Sequence, residues 1–261
     1  MCLKLNLMMR GQMIFKKVKN QDKSRDIYFC GKKCFSYGKK NRLCTQGSNN
    51  LISVASNVSV SGNICGDDNS VFIDKQCQSS FCTININGNH NRIFIKGNSI
   101  IKNLEIKIGN HFSINNSIIE IGEGGWIGGL KCVVESDKSQ LHIGDDFVFS
   151  SDVFIRMGEY PHLIFDKITG EYLDTSTILT IGNHVWLGEK VTILKKAKIP
   201  DGCIVGTCSV VTRRFEEENA LIAGNPGKIR KKNVFWERDL NSLDKASKYY
   251  ASLKKYQNKV D

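Results

Sequence analysis

The sequence predicts an all-β solenoid, a chain wound into stacked three-sided coils around one continuous core. Three observations carry that prediction. A six-residue period of aliphatic side chains runs through the later part of the chain. Alternating apolar pairs separated by Asn- and Gly-rich turns fill the part before it. Helical periodicity is nearly absent before residue 234.

The chain has 261 residues, 41% of them hydrophobic and 24% charged. That is enough for one sizeable core and argues against general disorder. No run of about 18 apolar residues is present, which argues against a membrane-spanning helix. Met1 to Phe15 is interrupted by Lys4, Arg10 and Gln12 and makes a poor signal peptide, so a cytoplasmic location is expected. The ten cysteines are scattered with no C-x-x-C pair, and read as reduced thiols, several of them small core residues.

Residues 1–40 form a basic segment. Its Lys and Arg outnumber Asp22 and Asp26 so strongly that much of the net +11 resides there, and most of the rest follows residue 227. Whole-chain nucleic-acid binding is therefore a poor reading. An anionic membrane surface or an acidic polysaccharide is the partner expected for this end. The stretches Met13–Phe15 and Ile27–Phe29 suggest a small hairpin or a cap on the first coil, with Lys32, Lys33, Lys39 and Lys40 at one end of it.

Residues 41–227 read as the solenoid domain. Between 41 and 120 the pairs Ile84/Ile86, Ile93/Ile95 and Ile106/Ile108 mark short strands. The turns Gly88-Asn89-His90-Asn91, Gly97-Asn98 and Gly109-Asn110 separate them, and Asn and Gly tolerate the left-handed backbone of tight corners. These are irregular coils of the same solenoid or, alternatively, a separate antiparallel domain. The period of six then appears at Ile121, Ile127 and Val133, and again at Ile143, Phe149 and Ile155. The step from 155 to 181 is not a multiple of six, so a loop is inserted, spanning 157–180. From 181 the first hexad position holds Ile181, Leu187, Ile193, Ile199, Val205 and Val211. The fifth holds Val185, Val191, Ala197, Cys203, Ser209 and Phe215. Three hexads make one coil, with the first and fifth positions turned to the axis. The segment 228–261 is a basic tail in which Trp236, Leu240, Leu243, Ala246, Tyr250 and Leu253 step by three and four, predicting an amphipathic helix over 234–256.

The hexads, the loop RMGEYPHLIFDKITGEYLD, the motif IGNHVWLG and the tail VGTCSVVTRRF…IAGNPGKIRKK together resemble bacterial hexapeptide-repeat acyltransferases. Within them, a loop histidine followed 24 residues later by the tryptophan of HVWLG is similar to the O-acetyltransferases of capsular polysaccharides, including polysialic acid. The resemblance is specific over about 119–238. It implies a left-handed parallel β-helix, an exception to the usual crossover hand. It also implies a homotrimer with acetyl-CoA in the groove between neighbouring prisms and a glycan acceptor.

On this resemblance His162 is the general base, since an imidazole can take the proton of an attacking hydroxyl and return it to the leaving thiolate. Asp166, or alternatively Glu159, would orient it. Trp186 stands at a prism corner facing outward, either in the active site or packed at a trimer interface. His184 is a rival base with a structural role in the family. His90, His111 and His142 read as surface groups, and no metal site is expected. Gly188, Gly206, Thr207 and Ser209 mark corners and a coil beside the pantetheine arm. Asn225 and Pro226 match the loop near the adenine, and Arg213, Arg214, Lys228, Arg230 and Lys231 supply cations for phosphates. Cys203 and Cys208 fall within coils and read as unexposed, favouring a ternary complex. The implied reaction is acetyl transfer to a sugar hydroxyl of a capsular or lipopolysaccharide glycan. The alternative is transfer to an amino-sugar nitrogen or a small-molecule hydroxyl.

Overall fold

The computed structural model describes residues 5–9, 13–19, 25–29, 32–37, 41–55, 58–175 and 178–257, with side chains described from Leu43 onward. The solenoid has three faces, each a parallel sheet whose strands come from successive coils. The first face is a seven-stranded sheet from Leu51–Val54 to Lys198–Ile199. The second carries Trp126–Ile127, Val148–Phe149, Trp186–Leu187, Ile204–Val205 and Leu221–Ala223. The third runs from Asn41–Gln46 through Leu130–Val134, Val153–Met157 and Thr192–Leu194 to Val210–Val211. Residues 41–120 are therefore coils of the same solenoid, not a separate antiparallel domain.

The period of six is a packing period. All six first-position residues from Ile181 to Val211 and all six fifth-position residues from Val185 to Phe215 are buried. One earlier set slips. Leu130–Val134 restarts after Gly128 and Gly129, so Cys132 stands beside Ile155 in the core, while Val133 stands beside Arg156. Coil length varies with the corners. Thr180 lies beside Lys198, 18 residues on, but Gln140 lies beside Ile178, 38 residues on. The extra chain is the inserted loop, and it leaves at the corner between the third and first faces.

Corners stack as strictly as strands. Asp68, His90, Asn116 and Lys138 have positive φ at equivalent positions of the corner between the third and first faces, and Asn98, Asp146 and His184 at equivalent positions of the corner between the first and second. Gly88, at φ 139°, could carry no side chain, because a Cβ would lie 1.9 Å from the Ile114 carbonyl oxygen one coil above. The asparagines do more than tolerate such geometry. Asn91 is buried. Its Oδ1 accepts from Ser117 N at 3.0 Å, and its Nδ2 donates to Ile114 O at 2.8 Å and Asn69 Oδ1 at 3.1 Å. Asn69 repeats the pattern toward Asn50. This interior ladder satisfies backbone groups that no strand reaches.

Both ends of the solenoid are covered. Leu5–Met9, Met13–Lys19, Arg25–Phe29 and Lys32–Tyr37 form an antiparallel meander that joins Asn41–Gln46 at the start of the third face. The basic surface expected of Lys32, Lys33, Lys39 and Lys40 rests on side chains that lie outside the described ones. At the other end Lys228–Lys231 pairs antiparallel with Leu221–Ala223. Open sheet edges are closed in this way against stray pairing.

The expected helix over 234–256 is shorter, Lys248–Gln257, with none of its residues buried. Ser247 caps it by accepting from Tyr250 N. Residues 234–247 are held out of helix by turns on Asp239 and Asp244 and by bonds to the solenoid. No described helix is long and apolar enough to cross a membrane. The described cysteines are all free thiols. Cys203 is buried, but Cys208 is exposed at a corner with φ 59°, contrary to the expectation that both are hidden.

Asn91→Ala should destabilise the chain by about 2–4 kcal/mol, because it strands the Ser117 N–H and the Ile114 carbonyl in the interior. Urea unfolding with amide exchange will check this, with the loss of protection expected first around residues 69–117.

Candidate active site

His162 lies on the inserted loop, exposed, its backbone N–H donating to Glu159 O at 3.0 Å. The loop is anchored at its base. Asp174, whose side chain is fully buried, accepts from Glu159 N at 2.6 Å and from Lys195 Nζ. Arg156 Nε donates to Glu159 Oε2 at 3.0 Å, and Tyr160 sets its ring edge-on to Phe112 at 4.5 Å. Beyond His162 the chain forms a short hairpin, with Leu173 N donating to Ile164 O and Asp166 N to Glu171 O, both at 2.8 Å. Its surface is unusually apolar. Leu163, Ile164, Phe165, Ile168 and Leu173 are all exposed, Ile168 to 95%.

Neither carboxylate expected to orient His162 is directed to that task. Asp166 Oδ1 accepts from Ile168 N at 2.8 Å and Thr169 N at 2.7 Å, closing the hairpin turn. Those backbone N–H groups hold its carboxyl below the usual range. Glu159 is engaged by Arg156.

Trp186 lies on the second face, beside Val148 and Ile204. The residue is 39% exposed, and Nε1 is 3.4 Å from Ser150 Oγ, a long contact that leaves the N–H available. The second face is the one opposite the corner from which the loop leaves. His162 and Trp186, 24 residues apart in sequence, thus project from opposite sides of one prism.

His184 is pinned. Nδ1 lies 2.6 Å from Asp146 Oδ2, and Nε2 lies 3.1 Å from Trp236 O. The ring stacks on Trp236 at 4.2 Å, while Trp236 Nε1 donates to His184 O at 3.0 Å. With both nitrogens engaged it anchors the segment after 233 and is not poised as a base. Arg238 Nη2 donates to Asp146 Oδ1 at 2.6 Å and also to the carbonyls of Gly124 and Phe147. Val234 N donates to Asn219 O at 2.8 Å. Residues 234–238 therefore run as a strap down the first–second corner, from Asn219 past His184 to Asp146 and Gly124. Between strap and second face is a cavity of about 360 Å³ lined by Trp126, Val148, Trp186, Trp236, Glu237 and Arg238. Sequence reasoning missed Trp126, Arg238 and Asp174, and placed Trp236 on a helix. Nothing local in the sequence marks the strap, since its partners other than Asn219 lie 52 to 114 residues away.

The residues expected to meet the coenzyme divide. Gly188, Gly206, Thr207, Asn225 and Pro226 gather at and beside the corner between the second and third faces. Gly188 is a glycine for a stacking reason, because a Cβ would lie 2.7 Å from Thr207 N. Ser209 is fully buried, and its hydroxyl accepts from Gly224 N at 3.0 Å, so it braces the loop before Asn225 rather than touching a ligand. Lys228 and Lys231 are exposed on the strand that ends the second face. Arg230 instead donates to Ala223 O. Arg213, set over the Phe215 ring at 4.9 Å, and Arg214, beside Glu216, lie at the third–first corner, on the loop's side of the prism. Cys203 sits under burial that raises its thiol pKa. No described His, Cys, Asp or Glu cluster is arranged to hold a metal.

Over 198 residues the chain is 31% identical to a polysialic acid O-acetyltransferase of Neisseria meningitidis, covering 75% of this chain and 89% of that protein. The chain belongs to this group of hexapeptide-repeat acetyltransferases. It is also 33% identical over 159 residues to the polysialic acid O-acetyltransferase of Escherichia coli O1:K1, a match spanning 50% of that protein's length. The crystal structure of the polysialic acid-specific acetyltransferase NeuO superposes with a TM-score of 0.69 at 26% identity, covering 86% of this chain and 100% of that one. No family model matches. The fold of this acetyltransferase is the left-handed parallel β-helix.

Asp174→Ala should lower kcat about ten- to a hundredfold by loosening the loop that carries His162. Far-UV circular dichroism should stay unchanged, and amide exchange should quicken over residues 159–175 but not on the coils.

Proposed function

We propose that this acetyltransferase moves acetyl from acetyl-CoA to a sugar hydroxyl of a bacterial surface glycan, capsular or lipopolysaccharide, at sites shared between subunits of a homotrimer. One observation carries the shared site. The loop with His162 leaves one corner of the prism, and Trp186 occupies the face opposite. A second copy brings them together, and the exposed apolar hairpin 163–173 is the kind of surface that seeks such a neighbour. Arg213 and Arg214 then meet the same groove from the loop's side, opposite the neighbour's Lys228 and Lys231.

The residues present fit the coenzyme. Lys231 pairs with Leu221, and Leu221, Ile204 and Trp186 follow as adjacent strands of one face. Three strand spacings separate the cations from the indole, about 14 Å. That suits phosphates at the end of the solenoid and a thioester near Trp186. Acetyl-CoA supplies the activated acetyl group. His162 takes the proton of the acceptor hydroxyl as its oxygen bonds to the thioester carbonyl carbon. The C–S bond breaks, and His162 returns the proton to the leaving thiolate. The Trp186 N–H donates to the carbonyl oxygen as charge builds there.

His162→Ala should cut transfer by ~10²–10⁴-fold with little change in acetyl-CoA affinity. A folded His162→Ala enzyme with near-normal kcat would remove the base assignment. Light scattering should give about three times the 29.3 kDa chain mass. Mixing unfolded His162→Ala and Trp186→Ala chains and refolding them together should restore up to about a quarter of wild-type activity, since that fraction of shared sites receives both intact residues. No recovery would place the site within one chain.

A further inference from the structure

We infer that the cavity between strap and second face is an acceptor subsite that holds a neutral pyranose ring of the glycan. This rests on the reading of Trp186 as an active-site residue. All three tryptophans of the chain line this one cavity. They reach it from residues 126, 186 and 236, so the convergence is a product of the fold. Trp126, Val148 and Trp186 are adjacent strands of the same face, which sets the two indoles two spacings apart, about 10 Å, with Val148 as floor. Trp236 closes the side, its ring 6.1 Å from that of Trp186. Gly128 leaves room for this arrangement, since a Cβ there would lie 3.2 Å from Trp126 Cη2.

The volume, about 360 Å³, is near the lower end of the ~300–1,000 Å³ range of ligand sites and suits a single sugar residue. Aromatic walls match the apolar C–H faces of a pyranose. Its hydroxyls need polar groups at the edge, and Trp186 Nε1, Ser150 Oγ, Arg238 and Glu237 are there. The cavity extends from Trp186 in the direction away from Lys228 and Lys231. Coenzyme phosphates and acceptor thus lie on opposite sides of the indole, as transfer between them requires.

Charge selects the kind of sugar. Arg238 is the cation of the cavity, and Asp146 already binds its Nη2. Glu237 adds a second carboxylate to the rim. Two carboxylates against one guanidinium leave no positive excess for an anionic sugar, so the ring held here is uncharged.

The test uses the full-length enzyme with acetyl-CoA and two probes of equal length, a neutral galacto-oligosaccharide and oligosialic acid. The wild type should transfer to the neutral probe with the higher kcat/KM. Trp126→Ala should raise KM for that probe about tenfold or more. Trp126→Phe should recover most of the loss, and KM for acetyl-CoA should stay within about twofold in both. Preference for oligosialic acid overturns the inference, as does an unchanged acceptor KM in Trp126→Ala. A fall in the Trp126→Ala particle mass by light scattering would assign the cavity to a contact between copies and also overturn it. In each of these cases O-acetyl transfer itself still stands. Transfer by the wild type to neither probe would remove both the subsite and the proposed reaction for these sugars.

Discussion

Each residue of the described coils is positioned by the residues one coil above and one coil below it. Parallel stacking at one strand spacing fixes this, and it acts on the corners as much as on the faces. A corner must turn the chain by the same amount in every coil, so the left-handed position recurs as Asp68, His90, Asn116 and Lys138 at one corner and as Asn98, Asp146 and His184 at another. The same constraint removes the side chain of Gly88 and buries Asn69 and Asn91 as a polar ladder inside an otherwise apolar prism. It also creates the site. Asp146 and His184 meet because they are the same corner residue of neighbouring coils, although 38 positions separate them. Trp126 and Trp186 share a cavity because they are the same face residue two coils apart.

How much of this is legible in the sequence follows from whether a feature repeats. The hexads of 181–215 are legible because each first and fifth position faces the same axis, and all of them are buried. Val133 shows the limit. The pair Gly128-Gly129 restarts the strand, and Cys132 takes the inward place that strict counting gives to Val133. The inserted loop that carries His162 is legible as a break in period, and the outward side of Trp186 as the sixth place of its hexad. The strap is not. Trp236 and Leu240 step as a helix would, yet Trp236 is spent on His184 and Arg238 on Asp146, and Asp239 closes a turn directly after them. Tertiary bonds outweigh a weak amphipathic pattern here. Asp174 is invisible for a similar reason, since its value lies in Lys195 and the Glu159 amide.

A convex prism presents little concavity, so any binding site on it must be built from additions to the coils. This chain has two, and they serve different ends of the problem. The inserted loop is braced by a buried ion pair at its base and left apolar and exposed at its tip. That combination suits a part placed rigidly against another molecule. The strap adds depth where the prism has none. It is held at Asn219, His184, Asp146 and Gly124, at successive heights along one corner, so its side chains keep register with the coils. The wall it forms is therefore as rigid as the solenoid, and Trp236 is a fixed surface rather than a mobile lid.

Direction along the solenoid axis then becomes chemical direction. On the second face, the sequence of strands from Lys231 through Leu221 and Ile204 to Trp186, Val148 and Trp126 passes from cations to aliphatic groups to aromatic groups. A nucleotide-bearing thioester has the same order along its length, with phosphates, an amide-linked arm and a reactive end. In the proposed arrangement an acceptor sugar completes the sequence beyond Trp186. Because stacking fixes the spacing to about 4.8 Å per strand, exchanging residues along this face alters which group is recognised without altering where it sits. On the proposed reading, acceptor choice is set by Trp126, Trp236 and the charges of Glu237 and Arg238, separately from the reacting centre proposed at Trp186.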